Sequence, residues 1–291
     1  MGIGYQDADR EMIDYDLWFL QRGVPGLRGP RRYFGEDDFI AFTGAAQTFG
    51  RFVHDPFTAQ VGRLCGKPYI NLGISGAGPE YFLKRPALLE IISKANIHIA
   101  QVLSGRSVSA GVLECNRSNN GVLKFLEGPC KGQEMLAEKA YSTLRKIYGE
   151  QAYDEQIEAA REKWVELYKT MLLCGKGSTY LAWVSEGNIG EVGECIEGNS
   201  PVGKFPHFVT RKMLERVAEN CAGIIDCTLE SMRPQVLYSD TSGEMYEAWT
   251  RQKYPNRPDN LRAFNVYYAT PEHHDLVASR VIKTLIVDGR I

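Results

Sequence analysis

No stretch of this 291-residue chain is apolar for long enough to cross a bilayer. The N-terminus lacks a basic segment followed by an apolar run, so no secretory signal is read there. Met1-Gly2 opens like a myristoylation site, but Gln6 stands where Ser or Thr is wanted. A Cys-x-x-Cys pair is also missing. The seven cysteines (Cys65, Cys115, Cys130, Cys174, Cys195, Cys221 and Cys227) are scattered, none with a His at ligand spacing. They read as small buried thiols in a reducing compartment, and no metal site is expected. Neither sign of charge is in real excess: 34 Lys and Arg face 36 Asp and Glu, a net charge of −2. That leaves no global footprint for nucleic acid, and room only for a local anion site. With 44% hydrophobic and 24% charged residues, disordered and low-complexity architectures are excluded. The expectation is a soluble, cytoplasmic protein acting on a small molecule, with no membrane span and its oligomeric state open.

Residues 1–35 read as an irregular lead-in. Gly23-Val24-Pro25-Gly26-Leu27-Arg28-Gly29-Pro30 forbids regular structure, and with Arg31 and Arg32 it is expected to be a solvated strap. Residues 36–291 read as a single α/β domain. Apolar runs at 38–43, 68–73, 97–103, 179–184 and 223–227 suggest five strands, stopped in several cases by Gly. Helical spacing appears over 52–64, 79–94, 211–220 and from Thr270-Pro271 to about Val287, with a possible short helix near 244–251. A helical insertion is expected over about 115–175, and a Gly-rich loop over 186–206. Strands apolar on both faces that alternate with helices predict a three-layer, doubly wound sandwich with a mainly parallel sheet.

In such sheets ligands bind beyond the carboxyl ends of the strands. Three Gly-rich loops follow predicted strands there. The first contains Gly44, Gln47, Thr48 and Arg51; the second Gly73, Ser75 and Gly76; the third Gly105, Arg106, Ser107 and Ser109. Small residues let backbone N–H groups face a bound oxygen, so these eleven residues are the candidate substrate- or anion-binding set.

The wording of these loops resembles the SGNH (GDSL-type) hydrolases. Phe42-Thr43-Gly44-Ala45-Ala46-Gln47-Thr48-Phe49-Gly50 has the frame of that family's first block, and Asn71 to Gly78 matches Asn-Leu-Gly-x-Ser-Gly-x-Gly closely. Gly105-Arg106-Ser107-Val108 falls on the third block, and Asn265-Val266-Tyr267-Tyr268 on the final Asp-x-x-His. Thr270-Pro271-Glu272-His273-His274, with Val277-Ala278, keeps the frame that follows it. The chain is also similar to an uncharacterised alphaproteobacterial family sharing these frames. The resemblance implies the fold and assigns an oxyanion role to Gly73 or Gly76. It also places the nucleophilic Ser on Ala46, the oxyanion Asn on Arg106 or Ser107, and the Asp and His on Asn265 and Tyr268. A triad of this composition cannot hydrolyse an ester in the family's way.

The function expected from this combination is group transfer from an anionic, sulfated or phosphorylated donor. Arg106, Arg51 and Thr48 would form the anion cradle. A sulfotransferase-like layout, with phosphoadenosine phosphosulfate as donor and a carbohydrate or lipid as acceptor, is its most specific form. His274, His54 and Glu80 are the candidate bases. Two alternatives stand beside it: a ligand-binding protein without chemistry, and a hydrolase using Ser75, Ser104 or Ser107 with His274 as base. His98 reads as a core histidine, and His207 as exposed.

Overall fold

A computed structural model of the chain describes residues 9–10, 12–21, 24–31, 38–189, 201–229, 234–246, 264–265 and 267–291. In chain order the elements begin with β1 (Ile40–Gly44), α1 (Ala46–Phe49), α2 (Phe57–Leu64) and β2 (Tyr69–Gly73). Next come α3 (Pro79–Leu83), α4 (Pro86–Lys94), β3 (Ile97–Gln101), β4 (Leu113–Cys115), β5 (Val122–Phe125) and β6 (Glu134–Leu136). Then follow α5 (Ala137–Tyr148), α6 (Glu150–Leu173), β7 (Ser178–Ser185), α7 (Arg211–Ala218) and β8 (Gly223–Thr228). The short β9 (Gln235–Val236) and β10 (Phe264–Asn265) precede the closing α8 (Pro271–Val287).

The central sheet is parallel throughout, in the order β2-β1-β3-β7-β8. Alternate strand residues feed two cores. Ile40, Phe42, Ile97, Ile99, Tyr180 and Ala182 pack under Phe57 and Val61 of α2 and Val277, Val281 and Leu285 of α8. Ala41, Ala100, Leu181 and Trp183 point the other way, against Leu88 and Ile92 of α4, Trp164 and Tyr168 of α6, and Leu214 of α7. Burial on both faces is why these strands read as continuous apolar runs and not as alternating ones. The expected three-layer α/β fold with a five-stranded, mainly parallel sheet is the fold observed. Among the described residues, no helix is long and apolar enough to cross a membrane.

Three local expectations are corrected. The helix expected over 79–94 is two, because Pro86 opens α4 and holds Arg85 in an extended conformation (φ −130°, ψ 91°). The insertion is not helical from residue 115: β4, β5 and β6 form an antiparallel sheet before α5 begins. Its signal was the strand-like alternation of burial along Val122-Leu123-Lys124-Phe125, which a search for helical spacing passes over. With α5 this sheet builds a separate core from residues such as Leu123, Phe125, Tyr141 and Phe208. Arg28 is not solvated either. It is 5% exposed and donates to the carbonyls of Gly50 and Val53 at 2.8 and 2.6 Å. Arg32, Cys195, the glycines within 190–200 and most of the expected helix at 244–251 lie outside the described residues.

Candidate functional site

The strand order reverses direction at β1 and β3, and ligand crevices form at such a switch point. A cleft of about 300 Å³ opens there. Ala45, Ala46 and Gln47 line it from the end of β1, Ser75 and Gly76 from the end of β2, and Ser104, Arg106 and Ser107 from the end of β3. Asn119, Leu136 and Glu138 of the insertion form a wall, and Phe205, Tyr267 and Tyr268 complete it. The three loops singled out in the sequence therefore do converge.

Gln101, the last residue of β3, shapes the first loop. Its Oε1 accepts from the Ala45 N–H at 2.9 Å and from the Thr48 hydroxyl at 2.7 Å. Asn71 anchors α1 from the other side, donating to the Thr48 carbonyl at 2.8 Å while its Oδ1 accepts from the Gly73 N–H at 2.8 Å. Gly73 is required by packing: a Cβ there would sit 2.1 Å from the Phe49 nitrogen. Gly44 is constrained likewise, since its Cβ would lie 1.9 Å from the Thr48 hydroxyl oxygen.

Of the candidate binding residues, Gln47, Ser75, Gly76, Arg106 and Ser107 line the cleft; Gly44, Thr48, Arg51, Gly73, Gly105 and Ser109 do not. Ser109 donates through its hydroxyl and its backbone N–H to Glu80, at 2.9 and 2.7 Å. Burial alone would raise the Glu80 carboxyl. The hydrogen bonds from Lys84 and Ser109 outweigh it and hold the group below its ordinary range, so Glu80 is an ionised structural acid and not a base for the cleft. His54 lies on the surface beside Asp240, at 3.3 Å. His274 is a core residue: Nδ1 accepts from the Phe57 N–H at 3.0 Å, and the ring stacks on Phe57. Burial, then the charge of Arg28, pushes its pKa down to about 3. None of the three expected bases lines the cleft.

Ser104 lines the cleft and pairs with a histidine that is not part of the lining. Ser104 Oγ lies 2.9 Å from His207 Nδ1, and both residues are buried. The His207 carbonyl accepts from the Gly105 N–H at 2.8 Å, and a Cβ on Gly105 would come within 2.9 Å of that oxygen. The loop carrying His207 is pinned on both sides, by Ser185 Oγ donating to the Phe205 carbonyl at 2.6 Å and Arg161 Nε donating to the Phe208 carbonyl at 3.1 Å. Phe208 takes the left-handed backbone region (φ 66°), a costly conformation for a bulky residue that its edge-to-face packing on Tyr141 helps to hold. Burial, then the nearby charge of Arg106, pushes the His207 pKa down to about 2, so the ring is neutral at physiological pH. The expectation that His207 is exposed is overturned. The nearby Gly and Pro residues signal a loop, and nothing local shows that the loop folds inward. His98 is the core residue expected, its Nε2 2.8 Å from Thr43 Oγ1 and its pKa lowered to about 4 by burial.

Arg106 projects into the cleft next to this pair. Its Nη1 donates to Glu138 at 2.6 Å, and its Nε is buried without a hydrogen-bond partner among the described residues. Arg51 is committed elsewhere. It forms a two-pronged pair with Asp9 (2.7 and 3.0 Å), both side chains being almost fully buried, and donates from Nη1 to the Tyr268 hydroxyl at 3.0 Å. Asn265 is structural: its Oδ1 accepts from the Tyr267 and Tyr268 N–H groups, and its amide donates to the Tyr268 carbonyl.

Residues 3–121 match a family described as a domain of unknown function (DUF6473). No curated protein matches the chain. Among solved structures it is similar to a carbohydrate esterase family 2 enzyme with a carbohydrate-binding domain from Corynascus thermopiles (Myceliophthora fergusii). Identity there is 9% with a TM-score of 0.43, covering 90% of this chain and 69% of that one. It is also similar to the acetylxylan esterase Axe2 of Geobacillus stearothermophilus (10%, TM-score 0.37, 84% and 93%). A G-D-S-L family protein of Desulfitobacterium hafniense DCB-2 matches at 11% and TM-score 0.33, over 86% and 100%. These neighbours are esterases and SGNH-type proteins, not sulfotransferases. Thr48 and Arg51 are spent on protein partners and not on an anion cradle, and the expectation of sulfuryl or phosphoryl transfer is withdrawn.

Proposed function

We propose that the protein is a hydrolase of small esters in which Ser104 is the nucleophile and His207 the base. The observation that carries this reading is the 2.9 Å contact between Ser104 Oγ and His207 Nδ1 at the wall of the cleft. A nucleophile and base within hydrogen-bond reach are the first requirement of covalent ester hydrolysis. With its proton on Nε2, the neutral imidazole accepts the Ser104 proton as Oγ attacks the ester carbonyl. The C–O bond to the alcohol then breaks, the alcohol leaves with the proton from His207, and water releases the acid by the same route in reverse. Protonating His207 beside Arg106 is costly. An oxyanion forming in the cleft offsets the charge of Arg106 and lessens that cost in the step where the imidazolium appears.

The aromatic and hydroxylic lining suits a substrate with both apolar and hydrogen-bonding parts, and acylated carbohydrates are the first class to try. The test is intact-mass analysis after treatment with phenylmethylsulfonyl fluoride, alongside hydrolysis of p-nitrophenyl acetate. The expected result is a single adduct on Ser104 with loss of turnover, both abolished in Ser104→Ala. An unmodified, inactive parent protein overturns the reading.

A further inference from the structure

The cleft has a second functional wall, opposite in sequence to the Ser–His pair. Tyr268 lines it, and its phenol oxygen accepts a hydrogen bond from Arg51 Nη1 at 3.0 Å. The guanidinium also lies over the Tyr268 ring, 5.0 Å from its centroid, and over the Phe52 ring at 4.4 Å. Arg51 cannot swing away, because Asp9 holds its Nε and Nη2 in a buried two-pronged pair. The backbone of Tyr268 is fixed separately by Asn265. A side chain held by Arg51 and packed edge-to-face on Phe52 at 5.7 Å, both far away in sequence, is positioned for more than filling space.

We infer that Tyr268 donates its hydroxyl proton in a hydrogen bond to the carbonyl oxygen of the ester, strengthening as that oxygen becomes an oxyanion, and that Arg51 and Asp9 are positioning residues for it. The inference rests on the hydrolase reading and deepens it by naming the group that meets the developing charge. A phenol whose oxygen accepts from a guanidinium is polarised towards donation, because hydrogen bonds in a chain reinforce one another where water is scarce. Arg51 thus acts through Tyr268, and Asp9 acts through Arg51. No bond to substrate is made or broken by these residues, and the phenol keeps its proton throughout.

Tyr268→Phe removes one oxygen and keeps the ring packing, so its melting temperature serves as the control for folding. With p-nitrophenyl acetate the expected result is a fall in kcat of about 10²-fold at a KM changed by less than about threefold, as for loss of one oxyanion donor. Arg51→Lys keeps a cation beside Asp9 but loses the fork that reaches Tyr268, and is expected to lower kcat in the same direction by a smaller factor. Combined with Tyr268→Phe it is expected to cost nothing further in kcat, an epistasis that a merely structural role would not give. A Tyr268→Phe enzyme with kcat within twofold of the parent overturns the inference and leaves the Ser104–His207 reading standing. Absence of turnover and of Ser104 labelling in the parent overturns both.

Discussion

The two ends of the cleft have taken opposite courses. At the end built from β1 and the segment before α8, the loop wording resembles the SGNH frame, and that resemblance would put Ala46, Asn265 and Tyr268 at its nucleophile, acid and base. Asn265 holds the backbone of this wall, and the Tyr268 oxygen accepts from Arg51. At the end built from β3 and the loop before α7, the block Gly105-Arg106-Ser107-Val108 lacks the Asn that the resemblance would place there, yet Ser104 just before it meets His207 at 2.9 Å. Loop spacing fixes the backbone of both ends, and the side chains set on it differ.

The sharpest way to break this comparison is to disable each end in turn. Ser104→Ala and His207→Gln are each expected to lower kcat/KM for p-nitrophenyl acetate by about 10³-fold or more, because members of a nucleophile–base pair fail together. Activity that survives both substitutions would place the chemistry elsewhere. Truncation at the opposite end is expected to act on stability first. Asp9→Ala leaves Arg51 charged, buried and without its carboxylate partner, a change that costs about 3–5 kcal/mol in comparable buried pairs. Urea unfolding reads this directly, and a midpoint equal to the parent's would show that the pair contributes little.

Acid titration distinguishes the ends from the core between them. His98, His207 and His274 have pKa values lowered to about 4, about 2 and about 3 from an ordinary 6.5. Below pH 6.5 the unfolded chain takes up protons that the folded chain refuses, so stability falls as pH falls. The loss runs at up to about 1.4 kcal/mol per pH unit for each histidine until its folded pKa is reached. Denaturant midpoints measured from pH 7.5 to 5 are expected to fall steadily below about pH 6.5. Over the same range, while the protein stays folded, kcat/KM is expected to lack an inflection near 6.5, because His207 remains neutral. Such an inflection would mean that the base is a group other than His207.

Most of the scaffold was legible because burial writes itself into composition. Residues 38–43, 97–103 and 179–184 are largely apolar on both faces, and the spacing from 211 and the Thr270-Pro271 start mark helices that α7 and α8 confirm. The three cleft loops followed from Gly spacing at strand ends. What stayed hidden depends on long-range packing. The β4-β5-β6 sheet has short strands, half-buried in alternation, beside long helices that dominate any periodicity. His207 is a hundred residues from Ser104, and its inward turn is set by hydrogen bonds from Ser185 and Arg161 that no local pattern encodes. Arg51 read as an anion ligand because its partner Asp9 lies in a segment that looked like solvated strap.

The smallest expected effect is the most informative about the β1 end. Ala46→Ser puts a hydroxyl at the first residue of α1, in the lining of the cleft, where the resemblance to the SGNH frame would place a nucleophile. A hydroxyl gains nucleophilicity only from a base that accepts its proton, and the residue at the base position is Tyr268, whose oxygen already accepts from Arg51. The substitution is therefore expected to change kcat/KM by less than about twofold in the parent and to leave Ser104→Ala inactive. Adding Tyr268→His supplies an imidazole but places it against the Arg51 guanidinium. Two like charges about 4 Å apart repel by about 1–4 kcal/mol between the bulk-water and protein-surface limits, so the imidazolium needed for catalysis is disfavoured. Only removal of the Arg51 charge together with Asp9 would make room for it. A gain of more than about tenfold from Ala46→Ser alone would mean that a proton acceptor other than residue 268 already serves this end of the cleft.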